Sequence, residues 1–143
     1  MKSGSFPTQL HIGIGALKFS ARLEEATAPK TCAAFRKLLP LKRQIIHVRW
    51  SGLAGWIPMG DLNLNVPYEN NTSHPAPGDI LFYPAGLSQT EILVPYGGCC
   101  FSSHVGQLSG NHFLTIVEGK EQLAEFGRRI LWEGAAEILF EAS

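Results

Sequence analysis

The sequence predicts a mainly β fold with two helices, in which antiparallel strands form a closed or nearly closed barrel whose openings the helices cover. Many short segments alternate apolar and polar side chains, which is typical of half-buried strands. Two other segments repeat apolar residues at helical spacing. About eight or nine strands in one small chain must close or stack to avoid exposed edges. An open antiparallel sheet with both helices on one face is the alternative.

Length and composition are those of an ordinary globular chain. The 143 residues are 45% hydrophobic and 17% charged, which predicts one domain over residues 1–143 with a loose N-terminal tail at residues 1–8. The chain has 12 basic and 12 acidic residues and a net charge of zero, so we expect neither nucleic acid nor an anionic membrane as a partner. A neutral surface is compatible with a homo-oligomer.

Targeting and redox signals favour a cytoplasmic location. The N-terminal residues contain no apolar run of the ~7–15 residues that a signal peptide needs. No stretch approaches the ~20 apolar residues of a membrane span. The three cysteines, Cys32, Cys99 and Cys100, are an odd number, and we expect free thiols.

The first elements are a predicted hairpin and a helix. Residues 10–14 and Leu17–Leu23 alternate on either side of Gly15, which suits a turn. Thr27 is the expected N-cap of the helix, and Pro40 ends it because its ring cannot continue a helix. The apolar face of this helix consists of Ala34, Phe35, Leu38 and Leu39.

The middle of the chain is predicted to contain four strands and one long loop. The strands cover residues 43–50, 55–59, 80–83 and 90–94. The loop, residues 60–77, is polar and rich in Asn and Pro. Loops longer than ~12–15 residues are usually functional or disordered, so this loop is a candidate for ligand selectivity.

The last third is predicted to hold a strand pair, a helix and a closing strand. The Tyr-Gly-Gly segment at 96–98 interrupts the strand pattern, and residues 102–107 and 112–118 are expected to form a hairpin. A helix with an apolar stripe follows over residues 121–132. The closing strand alternates over residues 136–141.

Several motifs resemble those of cyclophilins. The Ala-Pro-Lys-Thr at 28–31, the Ala-Phe-Arg at 34–36 and Leu38 look like the first helix of that family. The Gly-Asn at 110–111 with Phe113 is similar to a segment of the cyclophilin barrel. A group of small bacterial cyclophilin-like proteins, whose function is unassigned, is more similar still.

That bacterial group shares four further motifs with this chain. They are Leu39-Pro40 at a helix end, the segment from Trp50 to Pro58, Pro77-Gly78-Asp79, and Tyr83-Pro84. The resemblance covers residues 17–141 and implies a closed eight-stranded barrel capped by two helices. It implies no particular activity.

Peptidyl-prolyl cis-trans isomerase is the first alternative function, because cyclophilins isomerise X–Pro bonds. Arg49 stands where that family has an arginine acting near the proline nitrogen. The family's Gln-Gly-Gly is replaced by Leu-Ala-Gly-Trp at 53–56, and residues 118–120 lead into the second helix without the family's Trp and His. These departures count against isomerase activity.

Six residues are candidates for a ligand pocket, namely Arg49, Trp50, Trp56, Glu69, Glu91 and Tyr96. A guanidinium offers a planar fork to carboxylates and stacks on aromatic rings. If the 60–77 loop folds over a barrel mouth, Glu69, Glu91 and Arg49 line one pocket. Two acids and a cation suit recognition of a small amide or zwitterion, or acid–base chemistry on it.

We therefore expect a small-molecule-binding or metabolic domain for small amides or carboxylates. A non-catalytic assembly subunit is the second alternative, and the sequence leaves open whether the pocket is catalytic. No cofactor and no metal are expected, because the five histidines lack the spacing of a metal motif. The strongest zinc arrangement would bring His104 and His112 across the predicted hairpin near Cys99 and Cys100, but hydrogen-bonded histidines are the favoured interpretation.

Overall fold

Within residues 9–84, 86 and 88–143, which the computed structural model describes, the chain forms eleven strands and two α-helices. The strands are β1 (Gln9–Ile14), β2 (Leu17–Leu23), β3 (Leu41–His47), β4 (Gly52–Gly60), β5 (Asn71–Thr72), β6 (Asp79–Tyr83), β7 (Thr90–Cys99), β8 (Ser102–Ser103), β9 (Gly106–Gln107), β10 (Gly110–Glu118) and β11 (Ala136–Ala142). The helices are α1 (Pro29–Arg36) and α2 (Leu123–Trp132), and the 3₁₀ turn Lys120–Gln122 leads into α2. The tail predicted at residues 1–8 lies outside the described residues.

Eight of these strands close into an antiparallel barrel. Their order is β2–β1–β11–β3–β4–β7–β6–β10, and β10 pairs back with β2 to complete the ring. The closing register places Leu114 beside Leu23 and Ile116 beside Ala21. Closure pairs the strand edges that would otherwise be exposed. The predicted closed barrel is confirmed, and the open-sheet alternative is wrong.

Alternation along each strand decides which side chains fill the barrel. Every second residue of β2 is buried in the main apolar cluster, as the sequence pattern predicts, and these residues are Leu17, Phe19, Ala21 and Leu23. Gly15, with a φ of +58°, turns the chain between β1 and β2. On β6, Ile80 and Phe82 face the interior, whereas Leu81 and Tyr83 lie on the outer face.

Both helices lie outside the barrel and pack apolar side chains against it. Phe35 of α1 contacts Phe113 and Phe140, with ring centroids 4.9 and 5.2 Å apart. Phe126 and Ile130 of α2 belong to the same buried cluster. Among the described residues, neither helix combines the length and the apolar character that crossing a bilayer requires.

The end of β3 and the start of α1 differ from the prediction. β3 stops at His47, because its pairing with β4 ends there, so Arg49 and Trp50 lie in the connection between β3 and β4. The N-cap of α1 is Ala28 rather than Thr27, and it makes no side-chain capping hydrogen bond. A carboxylate from elsewhere in the chain binds this helix end, as described below.

β7 is longer than predicted, since it runs through the two glycines to Cys99. A Cβ atom at Gly97 would lie 2.7 Å from Cδ1 of Leu53 on β4. Glycine therefore leaves room for that side chain, and the two strands stay paired until Cys99 lies opposite Gly52. The glycines extend the ladder rather than interrupt it.

The predicted hairpin between residues 102–107 and 112–118 is wrong. β8 pairs with β9 in a hairpin of its own, and β10 pairs with β6 and β2. Phe101 and Leu108 are buried at the two ends of the β8–β9 hairpin and anchor it to the barrel wall. The alternation of apolar and polar residues does not distinguish the predicted strand pairing from the observed one. In both pairings, successive side chains of each strand point to opposite faces.

Candidate functional site

A second apolar cluster lies on the outer face of β4, β6 and β7. Its buried members are Ala54, Leu81, Tyr83, Leu93, Phe101 and Leu108. The chain reaches this face because residues 100–109 fold back over the barrel wall after β7 ends. We call residues 100–109 the flap segment. The same fold-back creates a pocket beside the cluster.

Ser51 ties the flap segment to the connection between β3 and β4. Its hydroxyl donates to the Ser102 carbonyl at 3.1 Å and accepts from the Ser102 N–H at 3.0 Å. The Cys100 N–H donates to the Ser51 carbonyl at 2.9 Å. These bonds hold two loops together that are about fifty residues apart in the sequence.

The outer-face pocket lies between the flap segment, the β3–β4 connection and the outer faces of β4 and β7. It has a volume of about 490 Å³, which is within the usual range for small-molecule sites. Four of the six predicted site residues line it, namely Arg49, Trp50, Trp56 and Glu91. The pocket is thus outside the barrel wall rather than in a barrel mouth, and the 60–77 loop does not line it.

Glu91 is a buried acid in this pocket. The sequence pattern placed it on the same face of β7 as Leu93, and the structure puts that face outside the barrel. The residue is only 7% exposed, and burial raises the pKa of its carboxyl to about 7, a rise that a hydrogen bond from Ser88 opposes. It forms no salt bridge within residues 9–84, 86 and 88–143. A carboxyl in this environment can bind a cation or exchange a proton near neutral pH.

Two tryptophans supply aromatic walls. Trp56 extends from the outer face of β4, opposite Leu93 of β7. Its indole Nε1 is buried and is the one buried side-chain polar atom without a hydrogen-bond partner in the described part of the chain. Trp50 is 54% exposed, with its ring centroid 5.8 Å from that of His104 on the flap segment. The pocket therefore offers aromatic surface on two of its walls.

Arg49 brings a positive charge to the same pocket. It lies in the β3–β4 connection and is exposed. In the ranges that the structure describes, no carboxylate forms a salt bridge with it. Its guanidinium is available for a carboxylate or carbonyl oxygen of a ligand.

Glu69 and Tyr96, the other two predicted site residues, lie away from the pocket. Glu69 binds the start of α1, where its Oε2 accepts hydrogen bonds from the Thr31 N–H at 2.6 Å and the Thr31 hydroxyl at 2.7 Å. Tyr96 forms a 2.7 Å hydrogen bond with His47 and packs its ring edge against Phe126 of α2. Both contacts stabilise the fold.

Several lining residues were missed by the sequence reasoning. Ser88, Gln89, Ser103 and His104 all line the pocket. None carries a local signal for a ligand pocket, because Ser88 and Gln89 lie in the connection before β7, and Ser103 and His104 reach the pocket only when the flap segment returns to the barrel. The clearest local signal was the position of Glu91 on the outer face of an otherwise apolar strand.

The histidines do not form the zinc arrangement that the sequence offered. His104 lies beside Trp50, whereas His112 Nε2 is 2.7 Å from the Thr115 hydroxyl. No group of three or more His, Cys, Asp or Glu side chains within the described residues has the geometry to hold a metal ion. The cysteines form no disulfide there, and burial raises the pKa of Cys99 to about 11.

The solved structures with a similar fold include McbB and the hypothetical protein AF2241. McbB, solved in complex with tryptophan, aligns with a TM-score of 0.69 and 19% identity over 94% of this chain. This chain spans only 44% of the McbB chain. The hypothetical protein AF2241 from Archaeoglobus fulgidus aligns with a TM-score of 0.60 and 16% identity over 100% of both chains. At these identities the likeness shows a shared barrel fold.

The comparison with protein families is more specific. No curated protein matches this chain. The family model described as "Protein of unknown function (DUF3830)" matches residues 10–141, which is nearly the whole chain. This chain therefore belongs to the DUF3830 family of proteins of unknown function.

Proposed function

We propose that this protein binds a small carboxylate or amide in the outer-face pocket. The observation that carries the proposal is the buried acid Glu91, which has no salt-bridge partner among the described residues, in a tryptophan-lined pocket that also contains Arg49. Arg49 would bind a carboxylate or carbonyl oxygen of the ligand through its planar fork. The indole rings of Trp50 and Trp56 would pack against the apolar part of the ligand.

The preformed shape of the pocket supports this proposal. Hydrogen bonds between Ser51 and Ser102 hold two of its walls in place without a ligand, and a rigid site binds with a smaller loss of conformational entropy. McbB, which has a similar fold, was solved with bound tryptophan, a molecule that contains a carboxylate. An acid that titrates near neutrality also suits proton transfer, so the pocket has the chemistry of a metabolic domain as well as that of a binding domain.

A thermal-shift panel tests the proposal. Small carboxylates, amides and amino acids are added to the protein, and a ligand present at ~100 times its Kd should stabilise the fold by about 2.7 kcal/mol. Arg49→Ala should abolish the shift given by a carboxylate. Arg22→Ala is the matched control, because Arg22 is an exposed arginine of β2 that pairs with Glu24. Absence of any shift across the panel, or a shift that survives Arg49→Ala, would contradict the proposal.

Prolyl isomerisation is the second candidate, and it depends on the resemblance to cyclophilins. Arg49 and the exposed Trp50 lie together on the outer wall of the barrel, where a proline-containing peptide has access. A protease-coupled assay with a proline peptide separates the two candidates. Acceleration that Arg49→Ala removes would favour the isomerase, and a rate equal to the uncatalysed one would exclude it.

A further inference from the structure

The outer-face pocket holds two opposite charges that do not bind each other. We infer that its ligand is a zwitterion of the amino-acid type, whose cationic nitrogen lies on Glu91 and whose carboxylate lies on Arg49. This inference rests on the proposed function and narrows the ligand class. Glu91 is buried and Arg49 is exposed, so the two charges mark an inner and an outer end of the same pocket.

A zwitterion supplies a counter-charge for both Arg49 and Glu91. In the described part of the chain, neither residue has a salt-bridge partner. A simple carboxylate would satisfy Arg49 but would leave Glu91 buried without a counter-charge, which is unfavourable for the ionised acid. A neutral amide would leave both charges without a counter-charge. Only a ligand with both charges pairs each residue.

The residues paired with Glu91 across the strands supply no cation to its carboxylate. Across the strand pairs its neighbours are Pro58 on β4 and Tyr83 on β6, and neither is a cation. The other titratable side chains that line the pocket are Arg49 and His104. Ser88 donates the hydrogen bond that the carboxyl accepts. An organic ammonium would therefore lie beside an acid that accepts one hydrogen bond from a neutral donor and has no salt-bridge partner among the described residues.

The class of ligand determines whether binding releases the Glu91 proton to the buffer. In the free protein the carboxyl is partly protonated near neutral pH. An ammonium group requires the carboxylate form, so the Glu91 proton passes to the buffer while the ligand keeps its own ammonium protons. A neutral amide or a simple carboxylate gives no such release, because it favours the protonated acid. Proton release thus identifies a cation on Glu91.

Isothermal titration calorimetry in buffers of different ionisation enthalpy measures this release. The probes are tryptophan, phenylalanine and leucine, each compared with its carboxamide and its deaminated acid. At pH 6.5 we expect at least one amino acid to bind at least tenfold more tightly than either analogue. Its binding should release roughly half a proton or more, and this release should fall to about a tenth of a proton by pH 8, where the free amino acid still keeps its ammonium proton.

Substitutions of pocket residues identify the side chain that loses the proton on binding. Glu91→Gln keeps the shape of the side chain, and we expect it to abolish the release and to weaken the amino acid at least tenfold without weakening the deaminated acid. His104→Asn should retain the release, which separates Glu91 from the imidazole that also lines the pocket. Glu121→Gln, an exposed acid in the turn before α2, is the remote control.

The possible failures are distinguishable. If a deaminated acid or a carboxamide binds as tightly as its parent amino acid, or if binding of the amino acid releases no proton, the zwitterion inference is overturned and the proposed function stands. Proton release that persists in Glu91→Gln also overturns the inference. If none of the nine compounds binds and the thermal-shift panel is negative as well, the proposed function fails together with the inference.

Discussion

At the residue scale, Glu91 links the pocket to the stability of the fold. Burial raises the pKa of this carboxyl from 4.5 to about 7. Between these pH values the folded chain keeps a proton that the unfolded chain has released. By linkage, Glu91 lowers the free energy of unfolding as the pH rises through this range. A residue that costs stability and lies in a pocket is typical of a functional position.

Glu91→Gln should therefore stabilise the protein in a pH-dependent way. At pH 8 we expect the free energy of unfolding to exceed that of the unsubstituted protein by about 1–3 kcal/mol, because the burial of a charge is removed. At pH 4 the two proteins should be equal within error, since the acid is then protonated in both states. Urea unfolding at pH 4, 6 and 8 measures the difference, with Glu121→Gln as the control. If Glu91→Gln and the unsubstituted protein have equal free energies of unfolding at pH 8, the raised pKa assigned to Glu91 is contradicted.

At the element scale, the 60–77 loop stabilises α1 and does not line the pocket. Glu69 binds the first turn of the helix, and its own N–H donates to Asn111 of β10 at 3.1 Å. The Asn111 amide donates in turn to the Thr31 hydroxyl and to the Pro67 carbonyl. Asn111 is fully buried, so the network joins the loop, the helix and the barrel. A long polar loop here has a structural role.

The contact between α2 and β7 gives an element-scale prediction. A Cβ atom on Gly127 would lie only 2.2–2.5 Å from ring atoms of Tyr96, and His47 and Phe126 hold that ring. Gly→Ala inside a helix normally stabilises by about 1 kcal/mol, but overpacking typically costs about 1–3 kcal/mol. We expect Gly127→Ala to lower the free energy of unfolding by about 1–2 kcal/mol, measured by urea unfolding.

The same substitution in a Tyr96→Ala background is the control. With the ring removed, the alanine methyl has space, and Gly127→Ala should become neutral or stabilising. The difference between the two backgrounds is the coupling energy of the pair. If Gly127→Ala has the same effect in both backgrounds, the close contact does not determine its cost.

At the scale of the whole molecule, the chain builds two apolar clusters on opposite sides of one sheet. Phe113 is fully buried inside the barrel against Phe35 and Phe82. Phe101 is fully buried in the outer cluster, with its ring edge against Tyr83. The inner cluster closes the barrel, whereas the outer one holds the flap segment that forms a wall of the pocket.

Truncating these two phenylalanines should have different consequences. Phe113→Ala should lower the global free energy of unfolding by about 3–5 kcal/mol, as for other buried phenylalanines. Phe101→Ala should mainly release the flap segment, because Phe101 is the largest side chain that this segment buries in the outer cluster. Native-state hydrogen exchange should show lost protection at residues 100–109, with the amides of β1, β2 and β11 still protected. Uniform loss of protection along the chain would show that the flap segment does not open by itself.

Much of the barrel follows from local patterns. The alternation of Leu17–Leu23, the turn at Gly15 and the apolar stripe of the second helix are properties of a few neighbouring residues. The structure agrees with them except at Leu131, which belongs to the predicted stripe but is exposed. Closure also followed, because unpaired edges of so many strands are unfavourable. Even the outward position of Glu91 could be derived from the two-residue period of its strand.

The composition of the pocket was decided by the tertiary structure. Trp56 and Glu91 meet because β4 pairs with β7, and His104 joins Trp50 because the flap segment folds back over the outer face. Glu69, by contrast, finds its partner thirty-eight residues away in the chain. The sequence alone determines which residues face in or out, since that depends on backbone geometry over a few residues. Which distant segments share a face depends on long-range pairing and on the burial of residues such as Phe101, and only the folded chain settles that.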